Sequence, residues 1–323
     1  MCGIVAVAPR PFRFGTAGGL ISDPDRLRSA ARRAESLGYS TFGMADHFML
    51  PLAPLIALQA VADATTSIRL TQVVLAEGLR HPAVLAKELA TLDVLSGGRV
   101  EIGIGAGWMR GEFDQAGIPF IPTPKRLRRM EESVTVIKGL CGDGPFSFEG
   151  DHFTISALDG LPKPRQRPHP PVMVGGGGPQ VLATAARCAD IIQMLPGPIT
   201  GSNVDTAQVT RSAFRQRIDW IEEAAGDRFA HIELGALLME VAVTDDTEAA
   251  ERAFLARIES PAGPNGPSEK DILASPLVAI GSLAAVCDKL ERGRKELGLS
   301  YLACPAHARM DVLAPVIEKL AGT

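Results

Sequence analysis

Apolar residues recur along this chain in two alternating rhythms: short continuous runs, and longer stretches with an apolar position every three or four residues. The block at residues 80–107, RHPAVLAKELATLDVLSGGRVEIGIGAG, contains both. Pro82 suits a first helical turn, where its missing N–H would have been unpaired anyway. Val84, Leu85, Leu89, Leu92 and Leu95 then form one stripe fit to pack on a sheet. Gly97 and Gly98 stop that helix with conformations glycine adopts cheaply. The run at residues 100–105 ends without a long side chain, as a buried parallel strand does where its tip approaches a ligand.

The same alternation covers the rest of the chain. Strands are expected at residues 12–19, 41–47, 68–76, 100–107, 171–175, 190–195, 232–243 and 299–304. Helices are expected between and after them at residues 24–37, 55–64, 82–95, 125–140, 179–188, 206–225, 247–258 and 282–297. Eight such pairs predict an α/β fold, a closed (β/α)8 barrel, with a doubly wound open sheet as the alternative. One domain over residues 1–323 accommodates this, with insertions near 146–155 (FSFEGDHFTI, hairpin-like), 196–205 and 260–268.

Composition narrows the partners. A net charge of -4, with both signs spread along the chain, gives no basic face for nucleic acid and no polybasic membrane patch, which leaves small molecules. The opening MCGIVAVAPRPFRFG lacks a basic region ahead of a long apolar core, and no run of eighteen apolar residues occurs, so a cytoplasmic protein is expected. Cys2, Cys141, Cys188, Cys287 and Cys304 are odd in number and form no CxxC pair, which argues against a disulfide framework or a zinc site.

In a barrel of this kind the loops after the strands build the active site, which directs attention to strand ends. Asp46-His47 ends the second predicted strand. An imidazole there can take or give a proton; the alternative is a loop-capping His47 with Asp46 as its brace. Gly175, Gly176, Gly177 and Gly178 end the fifth, before Pro179 and a helix, so backbone N–H groups and a helix N-terminus can cradle a phosphate without any lysine, or else form a plain turn. Gly103, Gly105 and Gly107 do not complete a dinucleotide fingerprint, because Trp108 stands where its last glycine belongs. Trp108 is a candidate wall for a flat ring and Glu112 a candidate acid or base, against a core Trp and a solvated Glu. Arg80 and Arg99 are expected to be structural, paired with Asp93 or neighbouring carboxylates. His152, His169, His231 and His307 have no metal-ligand spacing, and no metal is expected.

The combination of RHP at 80–82, TLDVLSGGR at 91–99, GIGAGW at 103–108 with Glu112, FSFEGDHF at 146–153 and PKPRQRPHPPVMVGGGG at 162–178 resembles the luciferase-like monooxygenase superfamily. In particular it resembles the branch of deazaflavin (coenzyme F420)-dependent oxidoreductases. The resemblance covers roughly residues 12–195 and implies a luciferase-like TIM barrel, commonly a homodimer, that binds the ring over the barrel mouth. It implies His47 as the proton-transfer residue, and Glu112, one turn past Trp108, is the candidate to stand in for the glutamate general acid that the branch's sugar-phosphate dehydrogenases carry at the Trp108 position. For the cofactor it implies Asp46, Val73, Val74, Gly107, Trp108, Gly175 to Gly178 and Met194. It further implies a bulge in the third strand with a non-proline cis peptide at Val73–Val74. The sugar-phosphate dehydrogenases of that branch carry a glutamate where this chain has Trp108, and residues 196–210 contain no Lys or Arg, so a neutral substrate is expected.

Three readings follow. The first is F420-dependent hydride transfer, with His47 handling the proton. The second is an FMN-dependent monooxygenase that uses oxygen and takes its reduced flavin from a reductase; such a reductase would equally serve F420. The third is a barrel that binds a cofactor without catalysis.

Overall fold

The computed structural model describes residues 10–197, 205–258, 266–304 and 310–323. In chain order its strands are β1 (Arg13–Ala17), β2 (Thr41–Met44), β3 (Arg69–Gln72), β4 (Leu75–Ala76), β5 (Val100–Gly105), β6 (Phe146–Glu149), β7 (Thr154–Leu158), β8 (Val172–Gly176), β9 (Ile191–Met194), β10 (Glu233–Leu237), β11 (Glu240–Val243), β12 (Val278–Gly281) and β13 (Leu299–Ala303). The helices are α1 (Pro24–Ser36), α2 (Pro54–Ala64), α3 (Pro82–Leu95), α4 (Arg110–Gln115), α5 (Thr123–Cys141), α6 (Pro179–Cys188), α7 (Arg211–Ala225), α8 (Thr247–Leu255), α9 (Glu269–Leu273), α10 (Leu283–Leu297) and α11 (Met310–Leu320). The sheet runs β3-β2-β1-β13-β10-β9-β8-β5, every pairing parallel, and β3 pairs with β5 to close it. Closure settles the expected barrel against the open sheet.

Alternation along each strand divides the core in two. Outward residues such as Phe14, Phe42, Leu70, Ile102, Val174 and Ile192 meet Leu27, Leu58, Leu85 and Leu89 from the helices in one continuous apolar layer. Each such side chain contributes about 1.5–3 kcal/mol on burial, so this layer dominates the stability. Inward residues fill the barrel in tiers. At the N-terminal end, Arg13 reaches Glu101 (2.5 Å) and grips Glu233 through two nitrogens (3.0 and 2.6 Å), while Arg69 shares Glu101 (2.6 Å). Above these, Tyr301 packs with Met173, Ile191 and Val74, and its hydroxyl is 2.6 Å from that of Thr41. Burial, then the nearby Glu101 charge, pushes the Tyr301 phenol up, so it stays neutral.

Several expectations are corrected. The run 232–243 is two strands: β10 stays in the barrel, whereas β11 leaves it to pair with β12, a strand the pattern does not announce. α11 is also unannounced, because Pro315 interrupts a stripe of Met310, Leu313, Val316, Ile317 and Leu320. The hairpin is present as β6 and β7 and extends to Leu158. The expected insertions at 196–205 and 260–268 fall largely outside the described residues. Arg99 does not pair with a carboxylate: it donates to the carbonyls of Ser96, Ile68 and Ala62 and to the Thr65 hydroxyl. Asp93 instead accepts from Arg165 N–H and from the Gln166 backbone and side chain. Arg80 pairs with Asp46, near the barrel mouth.

One carboxylate makes the packing pH-dependent. A single oxygen of Glu35, near the end of α1, accepts from the backbone N–H groups of Thr66, Ser67 and Ile68 and from the Ser67 hydroxyl. Burial works to raise its pKa, but these donors outweigh it and hold the group at about 2, against an ordinary 4.5. A depressed folded-state pKa stabilises the fold above the ordinary value, and that stabilisation is lost as pH falls through the folded one. Glu35→Gln is therefore expected to lower the melting temperature by a few degrees at pH 7, the deficit shrinking between about pH 4.5 and 2. A deficit that does not change with pH would contradict this.

Candidate active site

The third barrel strand is broken where it nears the mouth. Thr71 lies opposite Glu101 and Leu75 opposite Ile104, so β3 and β4 take four steps where β5 takes three. The extra residue is a bulge, and it lets two successive valines face inward. The intervening Val73–Val74 peptide is cis, as the resemblance implies. Glycines on three neighbouring strands make room. A Cβ on Gly43 of β2 would lie 2.9 Å from Val73, one on Gly105 of β5 2.7 Å from Val74, and one on Gly175 of β8 3.5 Å from Val74. On Gly103 it would sit 1.7 Å from the Gln72 carbonyl oxygen, so any other residue there would expel the bulge. The result is a flat apolar floor, with Val73 38 % exposed toward the mouth.

Over this floor stand His47, just past β2, and Glu112, in α4. His47 Nδ1 and Glu112 Oε2 are 2.8 Å apart, and the second carboxylate oxygen receives the Met49 N–H at 3.4 Å. A carboxylate accepts, so Nδ1 donates to it and Nε2 is the ring nitrogen left unengaged by Glu112. The Trp108 ring meets the imidazole edge-on, 5.7 Å between centroids, and is 40 % exposed. Gly107, at φ +76°, makes the turn that delivers Trp108, and a Cβ there would press on Phe113. His47, Glu112 and Trp108, each singled out from sequence, thus form one cluster.

The four-glycine loop follows β8, the strand next to β5. A Gly177 Cβ would collide with the carbonyl oxygens of Gly197 and Leu195, at 2.4 and 2.6 Å, so two backbone segments touch there. Gly178 begins α6 and has open space where its Cβ would be. Sequence reasoning missed the cation behind this loop. Arg217 of α7 is 1 % exposed and donates to the carbonyls of Gly177 (3.1 Å) and Gln208 (2.9 Å) and to Gln208 Oε1 (2.8 Å). Burial pushes its pKa down, yet a guanidinium stays charged. No carboxylate among the described residues pairs with it, so its charge sits behind the loop held by neutral oxygens. Within an amphipathic helix reading RSAFRQRIDWIEEAA, nothing separates Arg217 from a surface arginine.

Three expected cofactor contacts are placed elsewhere. Asp46, 6 % exposed, has both oxygens engaged, by Arg80 at 2.6 and 3.0 Å and by the Ala76 N–H at 3.0 Å. It ties β4 to the end of β2 and is the brace behind His47. Met194 is 0 % exposed and belongs with Ile192 to the outward layer, because alternation turns it toward the helices. None of Gly175 to Gly178 has the positive φ a nest glycine would show, and at Gly176 the missing Cβ clears Val181, which would lie 2.5 Å away.

Comparison with known proteins agrees with this architecture. The chain is 32 % identical over 205 residues to an FMNH(2)-dependent dimethylsulfone monooxygenase of Pseudomonas putida, covering 64 % of this chain and 52 % of that one. It is 34 % identical over 176 residues to an F420-dependent glucose-6-phosphate dehydrogenase of Kineococcus radiotolerans, covering 52 % and 51 %. The chain thus spans about half the length of these curated relatives. In fold it matches the coenzyme F420-dependent tetrahydromethanopterin reductase of Methanopyrus kandleri, with a TM-score of 0.74, 21 % identity and coverage of 96 % of this chain and 99 % of that one. Residues 4–300 match the luciferase-like monooxygenase family, and the chain belongs to that family.

Proposed function

We propose that this protein is an oxidoreductase that binds coenzyme F420 in the barrel mouth and moves a hydride between the deazaflavin and a small, neutral organic substrate. The observation that carries the reading is the His47–Glu112 pair standing beside Trp108 over the apolar floor. The residues fit a flat ring with a phosphate tail. Gly43, Gly105 and Gly175 keep the floor at Val73 and Val74 clear, and the loop at Gly177 and Gly178 offers an open helix N-terminus with the Arg217 charge behind it. Bound there, a deazaflavin supplies the carbon that gives or accepts hydride. The chain supplies the rest: His47 Nε2 takes or returns the accompanying proton, Glu112 holds the imidazole in orientation and tautomer, and Trp108 narrows the mouth against water.

FMN-dependent monooxygenation, with a partner reductase supplying reduced flavin, is the second reading; the identity to the Pseudomonas putida enzyme favours it. Exposed Ile56, Val84 and Leu95 on α2 and α3 support a homodimer. Free thiols at Cys141, Cys188 and Cys287 fit a cytoplasmic location. Among the described residues no helix is long and apolar enough to cross a membrane.

A deazaflavin lacks the ring nitrogen at the reacting position and reacts poorly with oxygen, so one experiment separates the two readings. Side-by-side titration is expected to show tighter binding of F420 than of FMN, with turnover indifferent to oxygen. Tighter FMN binding with oxygen-dependent turnover would establish the second reading.

His47→Ala is expected to lower turnover by roughly 10²–10⁴ while leaving cofactor affinity within a few-fold. Glu112→Ala, which removes a positioning partner, is expected to lower kcat by roughly 10–100-fold with KM little changed. Normal turnover in His47→Ala would make that histidine structural.

Gly178→Asp tests the phosphate loop more cleanly than a change at Gly176, because Gly178 has room and aspartate is a good helix N-cap. The variant is expected to fold normally, to lose most affinity for FMN and F420, and to keep its affinity for phosphate-free riboflavin. Equal losses for all three would place the phosphate elsewhere.

A further inference from the structure

Gln193 lies on β9, level with Gly175 of β8 and Gly235 of β10. Alternation puts it on the inward face with Ile191, one tier nearer the mouth. Its side chain lies across Gly235, where an added Cβ would come 2.2 Å from Oε1. The residue is 8 % exposed, and neither Oε1 nor Nε2 has a hydrogen-bond partner among the described residues.

A buried carboxamide with both ends unmatched is costly, and native interiors rarely keep one without a reason. Other inward polar side chains of this barrel have at least one partner: Thr41 has Tyr301, Arg13 has Glu101 and Glu233, and Glu101 is engaged through one of its two oxygens. Gln72 has at least its oxygen engaged, by the Gly103 N–H. Gln193 alone among the described buried amides has nothing at either end. Its place is also informative. β9 is four strands from β2 in either direction around the barrel, so Gln193 faces His47 across the mouth, with Val73 and Val74 between them.

A free amide offers one donor beside one acceptor, and its complement is an adjacent carbonyl and N–H in one plane. The pyrimidine edge of a flavin or deazaflavin ring is such a group, a ring N–H flanked by two carbonyls. Both amide atoms are sealed against Gly235 in the ligand-free chain, and we propose that the Gln193 side chain turns from Gly235 toward the mouth to recognise this edge, donating from Nε2 to a ring carbonyl and accepting at Oε1 from the ring N–H. This rests on the ring-binding reading of the mouth, and it makes Gln193 a positioning residue that orients the ring with its reacting edge away from β9. Flavin and deazaflavin share this edge, so Gln193 contributes equally to both and does not choose between them.

The test uses the full chain and the variants Gln193→Leu and Gln193→Met, which remove the amide and keep similar bulk. Fluorescence titration with F420, FMN and phosphate-free riboflavin is expected to show affinity falling about ten-fold for all three, the worth of two neutral hydrogen bonds. Without ligand, both variants are expected to melt at the wild-type temperature or above, because an unmatched polar group has been removed from the interior. Affinities within two-fold of wild type would overturn the proposal, and so would a ligand-free melting temperature several degrees lower, which would show that Gln193 already has a partner. Wild-type protein that binds none of the three would instead defeat the ring reading itself, so the two failures are distinguishable.

Discussion

The candidate site depends on one steric constraint: a strand with one residue too many has to fit inside a closed barrel. The bulge at Val73 and Val74 turns two side chains inward where alternation would allow one. It fits because Gly43, Gly103, Gly105 and Gly175 present no Cβ toward it. The tightest of these, Gly103 against the Gln72 carbonyl oxygen, leaves no space for a methyl group. Asp46 then fixes the far side of the bulge by holding Arg80 and the Ala76 N–H, and in doing so sets the position of the next residue, His47. The floor and the His47 imidazole are placed by the same small set of contacts.

Much of this was legible in the sequence. The eight strands were, because each is a short apolar run bounded by turns and separated by a stripe of helical period, although the pattern left closed barrel and open sheet both possible until the β3–β5 pairing was seen. His47, Glu112 and Trp108 were visible singly as chemistry-bearing types at strand ends. Their union was not, since His47 and Glu112 are 65 positions apart and meet only when β2 and α4 are brought to one mouth. The glycines at 103, 105 and 107 looked like a failed phosphate loop; their use is clearance and one tight turn, which periodicity cannot express. Met194 was misplaced through parity, by a single residue, because an apolar run buried on both faces gives no alternation to read. Arg217 and Gln193 were missed because burial without an ordinary partner is a property of three-dimensional surroundings and leaves no trace in spacing.

Electrostatics in this barrel are graded along its axis. At the closed end Arg13 and Arg69 share one oxygen of Glu101, whose other oxygen has no partner among the described residues, and Arg13 also grips Glu233. The middle tier is neutral, with Tyr301 held in its phenol form. At the mouth the matching is deliberately incomplete: Arg217 has only neutral acceptors, and Gln193 has none among the described residues.

The charged tier at the N-terminal end has a further consequence for traffic. With Arg13, Arg69, Glu101 and Glu233 plugging one end and Tyr301, Met173 and Ile191 packed above them, the barrel is closed at that end. A cofactor and a substrate bound in the mouth as proposed would share the other end, so the one seated against Val73 and Val74 would enter first and leave last.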